Sequence, residues 1–267
     1  MATTTQKTNR IQYGMAIKNL SFLFFLFVFF KSTGQTYLNK LALFGIEYKP
    51  IMAGDFIGKS ETNLAFDNFN TNFKQVLGHS YGANIRVVLT PGISIETGIH
   101  IVKRNYTVSF SEATINLRSS KQISFLNYDI PIIPYFFIKL SDKIYLANGL
   151  GPAFVFSLSD VATQSIASST SKFIAEGRRT HRLAVDLSAN LGFEYRTQKN
   201  GYFYIGGNAR VPFAPIFKVA GILETINTQN KTVVIGNMSG TYISFDFKYY
   251  FPTNTNKQEP LLKGPID

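Results

Sequence analysis

The chain has 267 residues with a formal net charge of +11, and only 16% of its residues are charged while 15% are aromatic. Disordered chains are poor in aromatics, so this composition indicates a folded protein with less charge than the roughly 25% usual for a soluble domain. The absence of cysteine excludes disulfides and cysteine-ligated metal sites. We expect no metal and no cofactor. The dispersed basic residues argue against nucleic acid as a partner.

Residues 1–34 have the pattern of a secretory signal peptide. Lys7, Arg10 and Lys18 precede an apolar run at 20–30, and small residues follow it. The run is shorter than the roughly 20 apolar residues that a transmembrane helix needs. A single membrane-anchoring helix is the alternative interpretation. We predict cleavage after residue 34, with translation beginning at Met1 or at Met15.

The mature chain shows a two-residue hydrophobic period that is typical of β-strands. Between Leu183 and Arg196 the odd positions are apolar and most even positions are polar, and successive side chains of a strand point to opposite faces. Each such segment therefore has one apolar and one more polar face. Eight segments follow this pattern: 41–50, 80–90, 93–105, 123–140, 144–158, 182–196, 201–213 and 240–251.

The connections between these segments alternate in length. Those at 91–92, 141–143 and 197–200 are short, and those at 51–79, 106–122, 159–181 and 214–239 are long. This alternation is typical of membrane barrels. We therefore predict an all-β fold for residues 35–251: an eight-stranded antiparallel up-and-down transmembrane β-barrel with short periplasmic turns and long extracellular loops. Residues 252–267 would form a flexible periplasmic tail. A soluble β-sandwich or lipocalin, with its apolar face inside, is the alternative.

The charged residues lie almost entirely on the polar face of the predicted strands. Lys103, near a loop, is the exception on the apolar face. Because eight strands leave an interior that side chains can fill, we predict a charge-paired plug and no diffusion pore. An ion path or a catalytic site is the alternative. The predicted interior polar network comprises Arg86, Glu96, His100, Asp129, Asp186, Glu194, Arg210, Asp246 and Lys248, and the same face carries Glu47, Lys49, Arg104, Lys139 and Arg196.

Two segments in the middle of the chain carry a resemblance to a known family. The stretch 125–139, with Asn-Tyr-Asp-Ile-Pro at 127–131, leads into Gly-Leu-Gly-Pro at 149–152. These segments, and the aromatic-ended last strand, resemble the PorT-like outer-membrane β-barrel proteins of Gram-negative bacteria. A second proline, Pro134, and the tail after residue 251 depart from that pattern. The resemblance implies an outer-membrane location and a role as an accessory of type IX-like secretion.

The residues themselves indicate a structural or interaction barrel that is not an enzyme. Its expected partners are outer-membrane lipid and other envelope or secretion proteins. The alternatives are a small-molecule binder and a lipid-modifying enzyme, an acyltransferase or deacylase. For the enzyme, His79 would be the general base, Ser80 the nucleophile and Glu176 an acidic partner. The apolar residues of loops 51–79 and 214–239 would extend hairpins that pack on each other; the alternatives are a cap, a partner surface or strands above the membrane.

Overall fold

The computed structural model describes residues 42–114, 116–197, 199–226 and 230–252. The predicted signal peptide and all but the first residue of the predicted tail lie outside these ranges. In the described ranges, no helix is long and apolar enough to cross a membrane. The strands are β1 Ala42–Ala53, β2 Glu61–Phe66, β3 Phe69–Thr90, β4 Ile93–Glu112, β5 Leu117–Lys139, β6 Ile144–Ser157, β7 Val161–Ser168, β8 Ser171–Arg179, β9 Leu183–Arg196, β10 Tyr202–Pro212, β11 Phe217–Thr225, β12 Lys231–Met238 and β13 Tyr242–Tyr250.

Eight of the strands form a closed antiparallel ring. Their order is β1, β13, β10, β9, β6, β5, β4 and β3, and β3 pairs back onto β1. In this closing pair Glu47 lies opposite Gly82, while on its other side Glu47 lies opposite Lys248 of β13. The predicted eight-stranded up-and-down barrel is confirmed. Its short turns, between β3 and β4, β5 and β6, and β9 and β10, lie at one end, called the short-turn end.

The long connections largely continue as strands above the barrel, which for 51–79 and 214–239 is one of the outcomes expected from the sequence. β2 and the upper parts of β3, β4 and β5 continue one wall of the barrel, while β7, β8, β11 and β12 form a separate four-stranded sheet. Together these segments make a structure called the outer module here. Its two sheets pack around buried apolar side chains: Phe69, Phe73, Tyr106, Val108, Phe110, Ile123, Phe125, Phe173, Ala175, Ile216, Phe217, Val219, Val234 and Met238.

The two halves of the long strands have opposite polarity. Along β4 the outward side chains are mainly isoleucine from Ile93 to Ile101 and become polar from Lys103, while the inward ones become apolar from Tyr106. The lower half therefore presents apolar groups to its surroundings, whereas the upper half buries them. In β3 a register shift between Val76 and His79 accompanies this change. The extra residue is absorbed in a bulge, which re-aims the side chains.

The pairing of β5 with β6 keeps a regular register past the prolines of β5. Pro131 pairs with Ala153, and Tyr135, four residues on, pairs with Gly149, so β5 and β6 remain in step. The pairing is interrupted between these positions, where β5 contains Pro131 and Pro134. Because proline lacks an N–H group, it removes ladder hydrogen bonds. Here the lost bonds open the ladder locally and no residue is inserted.

Candidate functional site

The outward face of the barrel below the outer module is an apolar belt. Leu150, Leu191, Phe193 and Phe245 are all more than half exposed, although such side chains are normally buried in soluble proteins. With about 3.4 Å per residue and a tilt of about 40°, the span from Ile93 to Lys103 covers about 26 Å along the barrel axis. This matches the apolar band of about 25 Å that membrane barrels expose to lipid.

At the short-turn end of the belt, aromatic rings form a partial girdle. Tyr195, Phe203 and Tyr249 face outward on neighbouring strands, and the rings of Phe203 and Tyr249 lie 4.9 Å apart. Amphipathic aromatic side chains favour the membrane–water interface. Tyr106, an aromatic residue just above the belt, is instead buried in the core of the outer module. Its residue type alone does not distinguish these environments.

The interior of the barrel holds a first ionic cluster near the short-turn end. Glu96 accepts hydrogen bonds from Arg86 at 2.9 Å, from Lys248 at 2.6 Å and from the Tyr250 hydroxyl. Arg86 also pairs with Glu194 and lies 4.0 Å above the ring of Tyr250. Glu96, Arg86 and Lys248 are each at most 4% exposed. Each charge in this cluster therefore has a direct partner of opposite sign, as buried ions require.

A second cluster surrounds Glu47 in the middle of the barrel. Lys49 Nζ lies 2.5 Å from Glu47 Oε1 and 3.4 Å from Asp246 Oδ2. His100 Nε2 lies 3.0 Å from Glu47 Oε2, and the amide of Asn84 donates to the same oxygen at 2.8 Å. Four strands thus contribute to one site, because their inward positions meet at the same height of the barrel.

A third cluster lies directly below the outer module. Arg210 Nη2 is 3.1 Å from Asp129 Oδ2, and Arg104 Nη2 is 3.5 Å from Asp186 Oδ2. Arg104 also donates to the carbonyl of Gly240 at 3.1 Å and faces the ring of Tyr242. Above this level the interior becomes mainly apolar, so the described interior is largely ionic below and largely apolar above.

The structure brings all nine residues of the predicted polar network into the barrel interior, each 4% exposed or less. Glu47, Lys49 and Arg104, which the sequence places on the same face, join them. Lys139 does not, because it lies at the end of β5 and pairs with Asp142 in an exposed turn. Arg196 lies at the rim, where it pairs with Glu194. The alternation of β5 alone could not show that the interior ends before Lys139.

The residues of the enzymatic alternative are not brought together. His79 faces outward, and a hydrogen bond of 2.8 Å joins its Nδ1 to the Tyr48 hydroxyl. Ser80 points inward and is 2% exposed. Neighbouring residues of a strand face opposite sides, so this histidine cannot activate this serine. Glu176 lies on β8 and pairs with Arg178. Among the described residues, no three His, Asp or Glu side chains converge to hold a metal.

No protein-family model matches this chain, and no curated protein matches it significantly. Among solved structures, the outer membrane protein OprG from Pseudomonas aeruginosa is similar, with 13% identity and a TM-score of 0.47 over 80% of this chain and 98% of that one. The translocator domain of the autotransporter NalP from Neisseria meningitidis has 9% identity and a TM-score of 0.32, covering 95% and 100%. The outer membrane protease OmpT from Escherichia coli has 10% identity and a TM-score of 0.32, covering 81% and 99%.

The assignment of the barrel rests on the strand pairing and the surface of this chain itself. Closed barrels are the one β-structure that satisfies every backbone group inside a membrane. An apolar exterior of the correct height surrounds a charge-paired interior. This combination places the chain in the bacterial outer membrane. Because outer-membrane barrels have short turns on the periplasmic side and longer connections outside, the short-turn end lies on the periplasmic side and the outer module on the external side.

Proposed function

We propose that this protein is a non-conducting outer-membrane barrel that carries the outer module as a rigid platform for interaction with other envelope components. The observation that carries the proposal is the contrast between its two interiors. Paired ions occupy much of the membrane-spanning interior, and a mainly apolar core fills the outer module. Both interiors favour a single rigid conformation of the protein.

The filled interior favours a structural role over transport. Six acids (Glu47, Glu96, Asp129, Asp186, Glu194 and Asp246) face five bases (Lys49, Arg86, Arg104, Arg210 and Lys248) in the described barrel, and Arg196 adds a sixth base at the rim. Burial of an unpaired charge is costly, so a balanced and paired set stabilises the closed interior. Transport through it would require many of these pairs to separate.

The outer module supplies a surface for a partner. Val233 is 46% exposed and Ile235 is 69% exposed on β12. Ile235 lies opposite Ala220 of β11, which pairs in turn with Glu176 of β8. Exposed apolar groups on an ordered sheet are typical of protein contact surfaces. The resemblance to PorT-like proteins favours a secretion component, of the type IX-like kind, as the partner that occupies this surface.

Photo-crosslinking in living cells tests this proposal. A photoreactive amino acid at Ile235 should give a discrete adduct with another envelope protein. The same group at Leu150, which is 57% exposed within the belt, should give none because lipid surrounds it. Absence of a protein adduct at Ile235, together with ion conductance by the purified barrel in planar bilayers, would refute the proposal.

A further inference from the structure

The other sheet of the outer module has an outward face of a different chemistry. Asn63, Asn72, Ser109 and Ser120 form a continuous row across β2, β3, β4 and β5. The next row, towards the tips of the hairpins, continues the pattern with Asn70, Ser111 and Arg118. Within this surface the Asn72 amide donates to the Glu61 carboxylate and to Asn63. The remaining amide and hydroxyl groups offer donors and acceptors, and Arg118 adds one cation.

This surface, called the amide–hydroxyl face, contains a shallow cleft of about 540 Å³. Its walls include Asn70, Asn72, Ser109, Ser111, Arg118 and Ser120. On the β7, β8, β11 and β12 sheet, one outward row contains Gln164, Ile174, Ile222 and Val233. In a neighbouring row Glu224 pairs with Lys172 and Lys231. The two faces of the module thus differ in chemistry: amides and hydroxyls predominate on one, and aliphatic side chains with ion pairs on the other.

The height of the amide–hydroxyl face above the membrane limits what can reach it. Lys103 marks the top of the apolar belt on β4. Given about 3.4 Å per residue and a tilt of about 40°, Thr107 lies about 10 Å and Ser111 about 20 Å above that level. Lipid headgroups extend only about 6 Å beyond the hydrocarbon, so the face lies above them, at the level of the saccharide chains of outer-leaflet glycolipids.

We propose that the amide–hydroxyl face binds the saccharide portion of the glycolipid that surrounds the barrel. Neutral amides and hydroxyls match the hydroxyl groups of sugars, and the planar guanidinium of Arg118 can bind the carboxylate of an acidic sugar through two hydrogen bonds. A weak site is sufficient, because a ligand held in the same membrane has a high effective concentration, on the order of millimolar. The inference rests on the outer-membrane location and is independent of the protein partner proposed above.

The test measures binding of a glycolipid core oligosaccharide, released from its acyl chains by mild acid, to the full chain in a detergent without a sugar headgroup. Ligand-observed NMR should show saturable binding with a Kd on the order of 1 mM. Ser109→Leu and Arg118→Ala should each weaken it at least tenfold. Gln164→Leu, at an exposed position of β7 on the other sheet, is the matched control and should bind like the wild type.

Three results would overturn the proposal: no saturable binding of the oligosaccharide, equal binding by Ser109→Leu, or equally tight binding of maltoheptaose, which would indicate a site for soluble glucans. Heat-dependent gel mobility verifies that each variant retains the barrel. The binding assay uses purified protein and the crosslinking uses living cells, so the two tests are independent. A negative result in the binding assay does not contradict a crosslink at Ile235, and absence of that crosslink does not contradict oligosaccharide binding.

Discussion

At the scale of single residues, Glu96 is the acceptor on which the first ionic cluster depends. Its carboxylate contacts Arg86, Lys248 and Tyr250 at once. We expect Glu96→Gln to destabilise the barrel by about 3–5 kcal/mol, because two buried cations lose a shared counter-charge. Urea unfolding in lipid vesicles measures the change. In the Glu96→Gln/Lys248→Met double variant the loss should be less than additive, since one orphaned cation is removed.

The exposed pair between Lys139 and Asp142 provides the control for that experiment. Its distance is 3.0 Å, but Asp142 is 96% exposed at its side chain. Water and salt screen such a pair, so Asp142→Asn should leave the unfolding midpoint unchanged. Equal losses from Glu96→Gln and Asp142→Asn would contradict the view that buried pairing stabilises the interior.

Asp55 should make the connection between β1 and β2 sensitive to acid. The backbone N–H of Ser60 donates to its carboxylate at 2.6 Å, which holds the pKa of Asp55 below its usual value of 3.8. A lowered folded-state pKa stabilises the turn above pH 3.8, and that contribution is lost as the pH falls through the lower value. NMR should show the Ser60 amide shifting with that titration, and Asp55→Asn should abolish the shift.

At the scale of elements, the bulge in β3 separates the lower half of the strand, whose outward face is apolar, from the upper half, whose inward face is apolar. Phe73 and Gln75 point inward above it, and Ser80 and Asn84 point inward below it, so odd and even positions exchange faces. Deletion of Leu77 removes the extra residue and should leave every other side chain on its present face. Deletion of Ala83, within the regular strand, should shift one half of the strand to the wrong face.

Thermal unfolding of the two deletion variants in micelles distinguishes these outcomes. The variant lacking Leu77 should retain heat-dependent gel mobility and a cooperative transition. The variant lacking Ala83 should lose both. Equal behaviour of the two would show that the bulge does not set the register of β3.

The two sheets of the outer module are held together by stacked phenylalanines. Phe173 of β8 is fully buried, with its ring 5.0 Å from that of Phe110 and 5.9 Å from that of Phe69. Phe173→Ala should cost about 3–5 kcal/mol within the module. Limited proteolysis should then cut between β7 and β8 while the barrel remains intact. Ile166→Ala, at an 82% exposed position, should leave the cleavage pattern unchanged.

The sequence pattern predicts the eight barrel strands well because each has one apolar face along the whole width of the membrane. It does not predict the upper parts of β3, β4 and β5. From Lys103 onward the outward side chains of β4 are polar. The apolar face that identifies the strand in the sequence therefore ends there, although the strand continues. In β3 the bulge also changes the parity of the pattern. The inward position of Glu96 follows from alternation, and Arg86 lies opposite it on the neighbouring strand β3. Its other two partners, Lys248 and Tyr250, lie on β13 and require the closed ring.

The amide–hydroxyl face could not be predicted either. Asn72, Ser109 and Ser120 are far apart in sequence and appear individually as ordinary loop residues. Only the register of three neighbouring strands places them in one row. The enzymatic hypothesis for His79 and Ser80 is wrong for the same kind of reason, because adjacency in sequence places the two side chains on opposite sides of β3.

At the scale of the whole molecule, the orientation of the barrel wall underlies every conclusion about location and role. Apolar side chains must contact lipid while ionic ones remain enclosed. The chain contains no cysteine, so single cysteines can be introduced without background. β9 is suitable for a scan because Leu191 and Phe193 are 58% and 53% exposed, whereas Asn190 is 6% and Glu194 is 0% exposed.

The most direct measurement is quenching of a fluorophore by brominated lipids, with one labelled cysteine at a time from residue 189 to residue 195 in vesicles. We predict strong quenching at the odd positions, including Leu191→Cys and Phe193→Cys, and weak quenching at the even positions between them. Quenching that is uniformly weak, or strongest at Asn190→Cys, would contradict the transmembrane barrel.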